Sequence, residues 1–170
     1  MPSARRDLAV AFAPDVLARE GALWVREASL SMLPLIRPGD EIRLAPVEPE
    51  QVVPGMLIAY RRDARLVIHR VLARDGAGVV AKGDALVSPD APLPWDQVVA
   101  RVAALRRPGG RLVDLEVFPW PFVNRLLGGL AFLACRLCRE GSREARPPVL
   151  SRLAWKALRL PFYLARLLLR

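Results

Sequence analysis

Apolar and polar positions follow two different periods along this chain, and each period predicts its own kind of element. Between residues 41 and 117 the apolar residues form short runs typical of β-strands. The predicted strands cover 42–44, 56–61, 66–72, 79–81, 98–105 and 112–117. Turns such as Pro38-Gly39-Asp40 separate these runs. The pattern predicts a mainly β fold of the α+β class, with a compact, mostly antiparallel β domain.

A helical period replaces the strand pattern at both ends of the chain. Residues 14–28 are expected to form a short amphipathic helix. Its apolar side is formed by Val16, Leu17, Leu23 and Trp24. Further helical segments are predicted at 121–139 and 149–170. The expected organisation is an N-terminal helical segment over 1–28, a β-rich domain over 29–117 and a basic amphipathic helical extension over 118–170.

The positive charge of the chain lies almost entirely in its C-terminal part. The formal net charge is +9, and residues 101–170 carry 14 basic and four acidic side chains. In the last predicted helix the basic residues fall within an arc of about 80°. These residues are Arg152, Lys156, Arg159, Arg166 and Arg170. A narrow basic stripe on an otherwise apolar helix is typical of a membrane interface, so we expect an anionic membrane surface as a partner.

No part of this extension is predicted to span a bilayer. The longest uncharged apolar run, 126–135, has ten residues, whereas about 20 are needed. An alternative interpretation is a helical hairpin packed on the β domain or on a partner protein. At the other end of the chain, Arg5 and Arg6 are followed by mixed charges. Neither a signal peptide nor an N-terminal anchor is therefore expected.

The inventory of ligand-forming residues does not favour metal or cofactor chemistry. His69 is the only histidine, and Cys135 and Cys138 are the only cysteines. No four-ligand zinc site can be assembled from so few nitrogen and sulfur donors. The two cysteines lie in an apolar, leucine-rich stretch and are expected to be packing residues. We therefore expect no cofactor and no metal ion.

Ser31 and His69 are the pair whose surroundings best suit covalent chemistry. Ser31 precedes the turn at Pro38-Gly39-Asp40, where an irregular segment can present a hydroxyl to a substrate. His69 lies within the predicted strand 66–72. Neutral imidazole is well suited to take a proton from a serine near pH 7. A lone histidine on a strand is more often structural, so the sequence context has to decide between the two interpretations.

That context resembles the signal peptidase I family of serine peptidases, in its archaeal, endoplasmic-reticulum and sporulation-type branch, which uses Ser-His. Five motifs occur in the order found in that family. They are Ser31-Met32-Leu33-Pro34, Ile36-Arg37-Pro38-Gly39-Asp40, Pro54-Gly55-Met56-Leu57-Ile58-Ala59-Tyr60, Val67-Ile68-His69-Arg70-Val71 and Ala81-Lys82-Gly83-Asp84. The chain departs from the family pattern at Met56, where Asp is usual, and at Leu30, where Gly is usual. It also has Ala85-Leu86 where Asn-Asn is common, and no counterpart of the family's N-terminal membrane anchor is expected.

The resemblance implies a role for each matching residue. Ser31 would be the nucleophile and His69 the general base, with no role as base for Lys82. Asp90 would orient the imidazole, and Asp84 is the second choice. The oxyanion and substrate would be bound by the backbone N–H of Ser31 and by its neighbours Ser29 and Met32. The implied fold is the antiparallel β domain shared with self-cleaving repressors.

Several functions are compatible with these residues. The expected function is a serine endopeptidase that cleaves signal or leader peptides from preproteins. Its expected place is the cytoplasmic membrane of a prokaryote, with the side of the membrane left open. The alternative is a non-catalytic relative that serves as a binding or scaffold protein at the membrane. A nucleic-acid-binding repressor with a self-cleavage domain is disfavoured because the first 28 residues are too few for a helix-turn-helix. No nucleic acid is therefore expected as a partner.

Overall fold

A computed structural model describes residues 3–63, 65–140 and 160–167. The described helices are α1 (Ser3–Glu20), α2 (Trp120–Glu140) and α3 (Leu160–Leu167). The strands are β1 (Leu23–Arg26), β2 (Glu41–Ala45), β3 (Leu57–Arg62), β4 (Arg65–Arg74), β5 (Gly78–Lys82), β6 (Leu93–Pro94), β7 (Val98–Arg106) and β8 (Leu112–Asp114). Short 3₁₀ turns precede β3 and β7, at Pro49–Gln51 and Trp95–Gln97.

Within these residues the strands form one antiparallel sheet. Their order is β1-β2-β7-β3-β4-β5-β6, and β8 pairs with β7. The mainly β, α+β class predicted from the sequence is confirmed. The six predicted strands correspond to β2, β3, β4, β5, β7 and β8. They were predictable because apolar runs bounded by turn residues are a local signal.

Alternation along the central strands divides the core between the two faces of the sheet. Successive side chains of a strand point to opposite faces. Leu57 and Ala59 of β3 therefore join the cluster covered by the helices, whereas Ile58 and Tyr60 belong to the cluster on the other face. The same alternation in β4 sends two adjacent polar residues, His69 and Arg70, to opposite faces.

The predicted helix over 14–28 is wrong beyond residue 20. The helix α1 ends at Glu20, Gly21 adopts φ +70°, and the chain then enters β1. In β1 the side chains of Leu23 and Val25 pack against the core, while Trp24 is exposed. Period-two packing against β2 thus overrides the helical pattern, because partners across a sheet outweigh local propensity.

The inner face of α2 is part of the core of the β domain. Its residues Trp120, Leu127, Ala131 and Cys135 are buried with the sheet. Gly128 lies so close to Gly55 that a Cβ on it would stand 2.5 Å from the Cα of Gly55. The alternative of a helix packed on the β domain therefore describes this face of α2, and Cys135 packs as expected. The side chain of Cys138 lies outside the described residues.

The far C-terminus is described only in part. Phe162 and Ala165 of α3 are buried against the same core. The predicted basic stripe lies outside the described residues, since these omit the side chain of Arg166 and all of Arg152, Lys156, Arg159 and Arg170. In the part that the structure describes, no helix combines the length and hydropathy needed to cross a membrane.

Candidate active site

Ser31 lies in the irregular segment between β1 and β2. Its hydroxyl oxygen is 3.0 Å from that of Ser29, and its backbone N–H donates to the same Ser29 oxygen at 3.4 Å. The segment is held from its other end by Glu27, whose carboxylate accepts hydrogen bonds from the N–H groups of Ala28 and Ser29. Ser31 is half-buried, and its neighbour Leu30 is exposed. The two serine hydroxyls are therefore adjacent and open to solvent.

His69 is buried in β4 and contacts the carboxylate of Asp90. The distance from His69 Nδ1 to Asp90 Oδ2 is 2.6 Å. Asp90 lies in the loop after β5, where its N–H donates to the carbonyl of Ala81. An ionised carboxylate only accepts hydrogen bonds, so Nδ1 carries the proton in this contact, and in the neutral imidazole Nε2 then keeps a lone pair. This is the tautomer that can accept a proton at Nε2.

Two further side chains, which the sequence analysis did not identify, hold the same carboxylate. The hydroxyl of Tyr60 donates to Asp90 Oδ2 at 2.9 Å, and Arg62 lies 3.0 Å from Asp90 Oδ1. Burial acts to raise the pKa of Asp90, but His69, Tyr60 and Arg62 outweigh it, so that the pKa is lowered. The signal that could have found Tyr60 is strand register. Ile58 pairs with His69, so Tyr60, two residues further along β3, is a diagonal neighbour on the same face.

Gly83 lies next to both the backbone of Ser31 and Nε2 of the imidazole. A Cβ on Gly83 would stand 2.7 Å from the carbonyl oxygen of Ser31 and 2.9 Å from His69 Nε2. The carbonyl of Ser31 also accepts a hydrogen bond of 2.8 Å from the N–H of Ala85. The loop after β5 therefore contacts both the backbone of Ser31 and the Nε2 side of the imidazole. The structure brings together Ser29, Ser31, His69 and Asp90.

Asp84, the second candidate for orienting the imidazole, lies on the opposite side of β4. Its two carboxylate oxygens each accept a 2.8 Å hydrogen bond from the guanidinium of Arg70. Arg70 also donates to the carbonyl of Gly55 and to the side chain of Asn124 on α2, both at 2.9 Å. Both ionic partners are buried. Asp84 thus anchors the loop that carries Gly83, through a side chain that faces away from His69.

The side chains of Met32 and Lys82, which the sequence analysis also named, are both buried. The side chain of Met32 is buried in the core, so any contact of this residue with a substrate would involve its backbone. Lys82 is buried, and its ammonium donates to the carbonyl oxygens of Gly83 and Leu86. The packing of Met32 holds the backbone next to Ser31, and the hydrogen bonds of Lys82 hold the backbone next to Gly83.

A scan against models of protein families finds no match, and a search of curated proteins finds none either. Among the residues that the structure describes, no group of three or more His, Cys, Asp and Glu side chains is arranged to hold a metal ion.

Proposed function

We propose that this protein is a serine endopeptidase of the signal-peptidase type, which cleaves signal or leader peptides by a Ser-His-Asp mechanism. The observation that carries the proposal is the 2.6 Å contact between His69 Nδ1 and Asp90 Oδ2, with His69 Nε2 and the backbone carbonyl oxygen of Ser31 both within 3 Å of the position that a Cβ on Gly83 would take. This arrangement combines a nucleophile, a base and an orienting carboxylate, which are the parts that acyl transfer to serine needs.

Each step of the reaction can be assigned to a described residue. Ser31 Oγ attacks the scissile carbonyl carbon while its proton passes to His69 Nε2. The ionised Asp90 stabilises the imidazolium that forms. The N–H of Ser31 and the hydroxyl of Ser29 donate to the developing oxyanion. When the intermediate collapses, Nε2 returns the proton to the leaving amine, and a water molecule activated by His69 then hydrolyses the acyl-serine.

Substitution of the two central residues tests this proposal. Ser31→Ala and His69→Ala should each lower turnover by on the order of 10⁴-fold or more. The substrate is an internally quenched peptide with alanine at the −1 and −3 positions, as the family resemblance implies, presented with anionic vesicles. Ser88→Ala is the matched control, because it removes an exposed hydroxyl from the neighbouring loop and should leave turnover unchanged.

The outcome separates the enzyme from a non-catalytic relative. Retention of more than about a tenth of wild-type turnover by either variant is incompatible with covalent Ser-His catalysis. If the wild-type chain binds the peptide but does not cleave it, the protein is instead a binding or scaffold module. Circular dichroism of each variant checks that the fold is retained.

The outer face of α2 supports the proposal that the enzyme works at an anionic membrane surface. Among the described side chains of this helix, four large apolar ones are exposed, Phe122, Leu126, Phe132 and Leu133. Arg125 and Arg136, also exposed, lie among them. Exposed apolar side chains beside arginines are typical of helices that lie in a membrane interface. The proposed partners are thus a leader-bearing preprotein and the headgroup region of the bilayer.

Vesicle flotation tests the membrane surface without disturbing the core. Phe122→Ser combined with Leu126→Ser should reduce flotation with anionic vesicles, because both side chains lie outside the packed face. The control is Leu112→Ser, which removes an exposed apolar side chain from β8. High salt should weaken binding of the wild type, as expected for arginines near lipid phosphates. Wild-type protein that does not float with anionic vesicles would contradict this part of the proposal.

A further inference from the structure

Tyr60 touches both members of the His69–Asp90 pair from within the sheet. Its hydroxyl lies 2.9 Å from Asp90 Oδ2 and 3.2 Å from His69 Nδ1. The side chain is fully buried in the cluster on this face, with Ile58, Val71 and Ala81. We infer that Tyr60 is a positioning residue, whose hydroxyl holds the Asp90 carboxylate in the orientation that selects the Nδ1–H form of His69. The inference rests on the proposed function for its catalytic consequence only.

The direction of each hydrogen bond follows from the donors present. Asp90 Oδ2 accepts both from His69 Nδ1–H and from the hydroxyl of Tyr60. The hydroxyl proton of Tyr60 is directed at the carboxylate, so its oxygen lone pairs are available toward Nδ1–H. Burial and the neighbouring carboxylate raise the pKa of Tyr60, so the phenol remains a donor throughout the neutral range. Tyr60 thus disfavours a bare Nδ1 at this position.

Arg62, which also binds Asp90, is less able than Tyr60 to fix the orientation of the carboxylate. Arg62 binds Oδ1, but its side chain is 41% exposed, whereas that of Asp90 is 6% exposed. A solvent-exposed ion pair constrains geometry weakly because water competes for both partners and long side chains retain freedom. The hydrogen bond from a buried hydroxyl to a buried carboxylate is held on both sides by packing. Loss of the Tyr60 hydroxyl should therefore loosen Asp90 even with Arg62 in place.

Tyr60→Phe isolates this hydroxyl, because it keeps the ring and its packing. We expect kcat/KM for the quenched peptide to fall about 10-fold, through kcat and with little change in KM, as for loss of one hydrogen bond to a charged group. In the background of Asp90→Asn, the same change should have less than a twofold effect, since Tyr60 acts through Asp90. Tyr163→Phe is the control, because Tyr163 is exposed on α3.

A second measurement does not depend on peptidase activity. His69 is the only histidine, so the imidazole nitrogen signals in an NMR spectrum belong to one residue. Wild-type protein at neutral pH should show the Nδ1–H form and a slowly exchanging Nδ1 proton. Tyr60→Phe should speed exchange of that proton and introduce the Nε2–H form, while Tyr163→Phe should not.

The two arms separate failure of the inference from failure of the proposed function. If Tyr60→Phe leaves the Nδ1 proton as slow to exchange as in the wild type, the inference is overturned. A wild-type imidazole in the Nε2–H form would also overturn it. If the peptide is never cleaved but the proton exchanges faster in Tyr60→Phe, the positioning role stands and the proposed peptidase activity fails.

Discussion

Replacing Gly83 with alanine places a methyl group against the backbone carbonyl of Ser31, the proposed nucleophile, and against Nε2 of His69, the proposed base. The new Cβ would stand 2.7 Å from the carbonyl oxygen of Ser31, 2.9 Å from His69 Nε2 and 3.0 Å from Cδ1 of Leu86. Non-bonded heavy atoms prefer a separation of about 3.5–4.0 Å, so the groups must move apart by roughly 0.5–1 Å. The leucine tip can rotate away, but the carbonyl belongs to the backbone and the imidazole is buried.

The displacement acts directly on the reacting geometry. Misplacement of reacting groups by about 1 Å costs on the order of 100-fold in rate. Overpacking of a filled site costs about 1–3 kcal/mol of stability, so we expect a folded protein with a lower melting temperature. Gly83 is not at positive φ, and the expected effect is therefore steric rather than a consequence of backbone strain.

The assay compares Gly83→Ala with Gly76→Ala. Gly76 lies in the turn between β4 and β5, where a Cβ would meet nothing within 4 Å, so its substitution should leave turnover unchanged. Cleavage of the quenched peptide and the His69 imidazole signals are measured for both variants. If Gly83→Ala cleaves within about threefold of the wild type and its imidazole signals are unmoved, the proposed Ser31–His69 geometry is refuted.

Two further predictions concern the acidic residues. Asp90→Asn should lose several orders of magnitude in kcat and less stability than Asp84→Asn. Asp84→Asn should lose about 3–5 kcal/mol of stability in denaturant titrations, because it leaves the buried Arg70 without its counter-ion; the reverse pattern would exchange their roles. Burial acts to raise the pKa of Asp90, but the pKa is lowered below the ordinary 3.8 by His69, Tyr60 and Arg62. A lowered folded-state pKa contributes stability above about pH 4 that is lost as pH falls through the folded value. Thermal melts between pH 6 and 2 should therefore show a flatter acid dependence for Asp90→Asn than for the wild type, and parallel curves would contradict this reasoning.

Local pattern determined six of the eight strands in the described residues and made Ser31 and His69 the candidate residues. Six strands were predictable because period-two apolar runs and Gly/Pro/Asp turns are properties of short windows. Ser31 and His69 could be paired in the sequence analysis because the motifs around them occur in a known order. The same patterns predicted a helix where the structure has β1. A strand of four residues shows little periodicity, and β1 depends on its pairing with β2.

Only the tertiary structure decided which groups surround the imidazole. Asp84 and Asp90 are the same residue type and lie in one loop. The alternation of β4 places Arg70 on the α2 side of the sheet, where it binds Asp84. His69 points to the opposite face, where it meets Asp90 and Tyr60. A strand's own sequence defines its two faces, whereas the residues opposite each side chain depend on register with other strands and on where a loop returns.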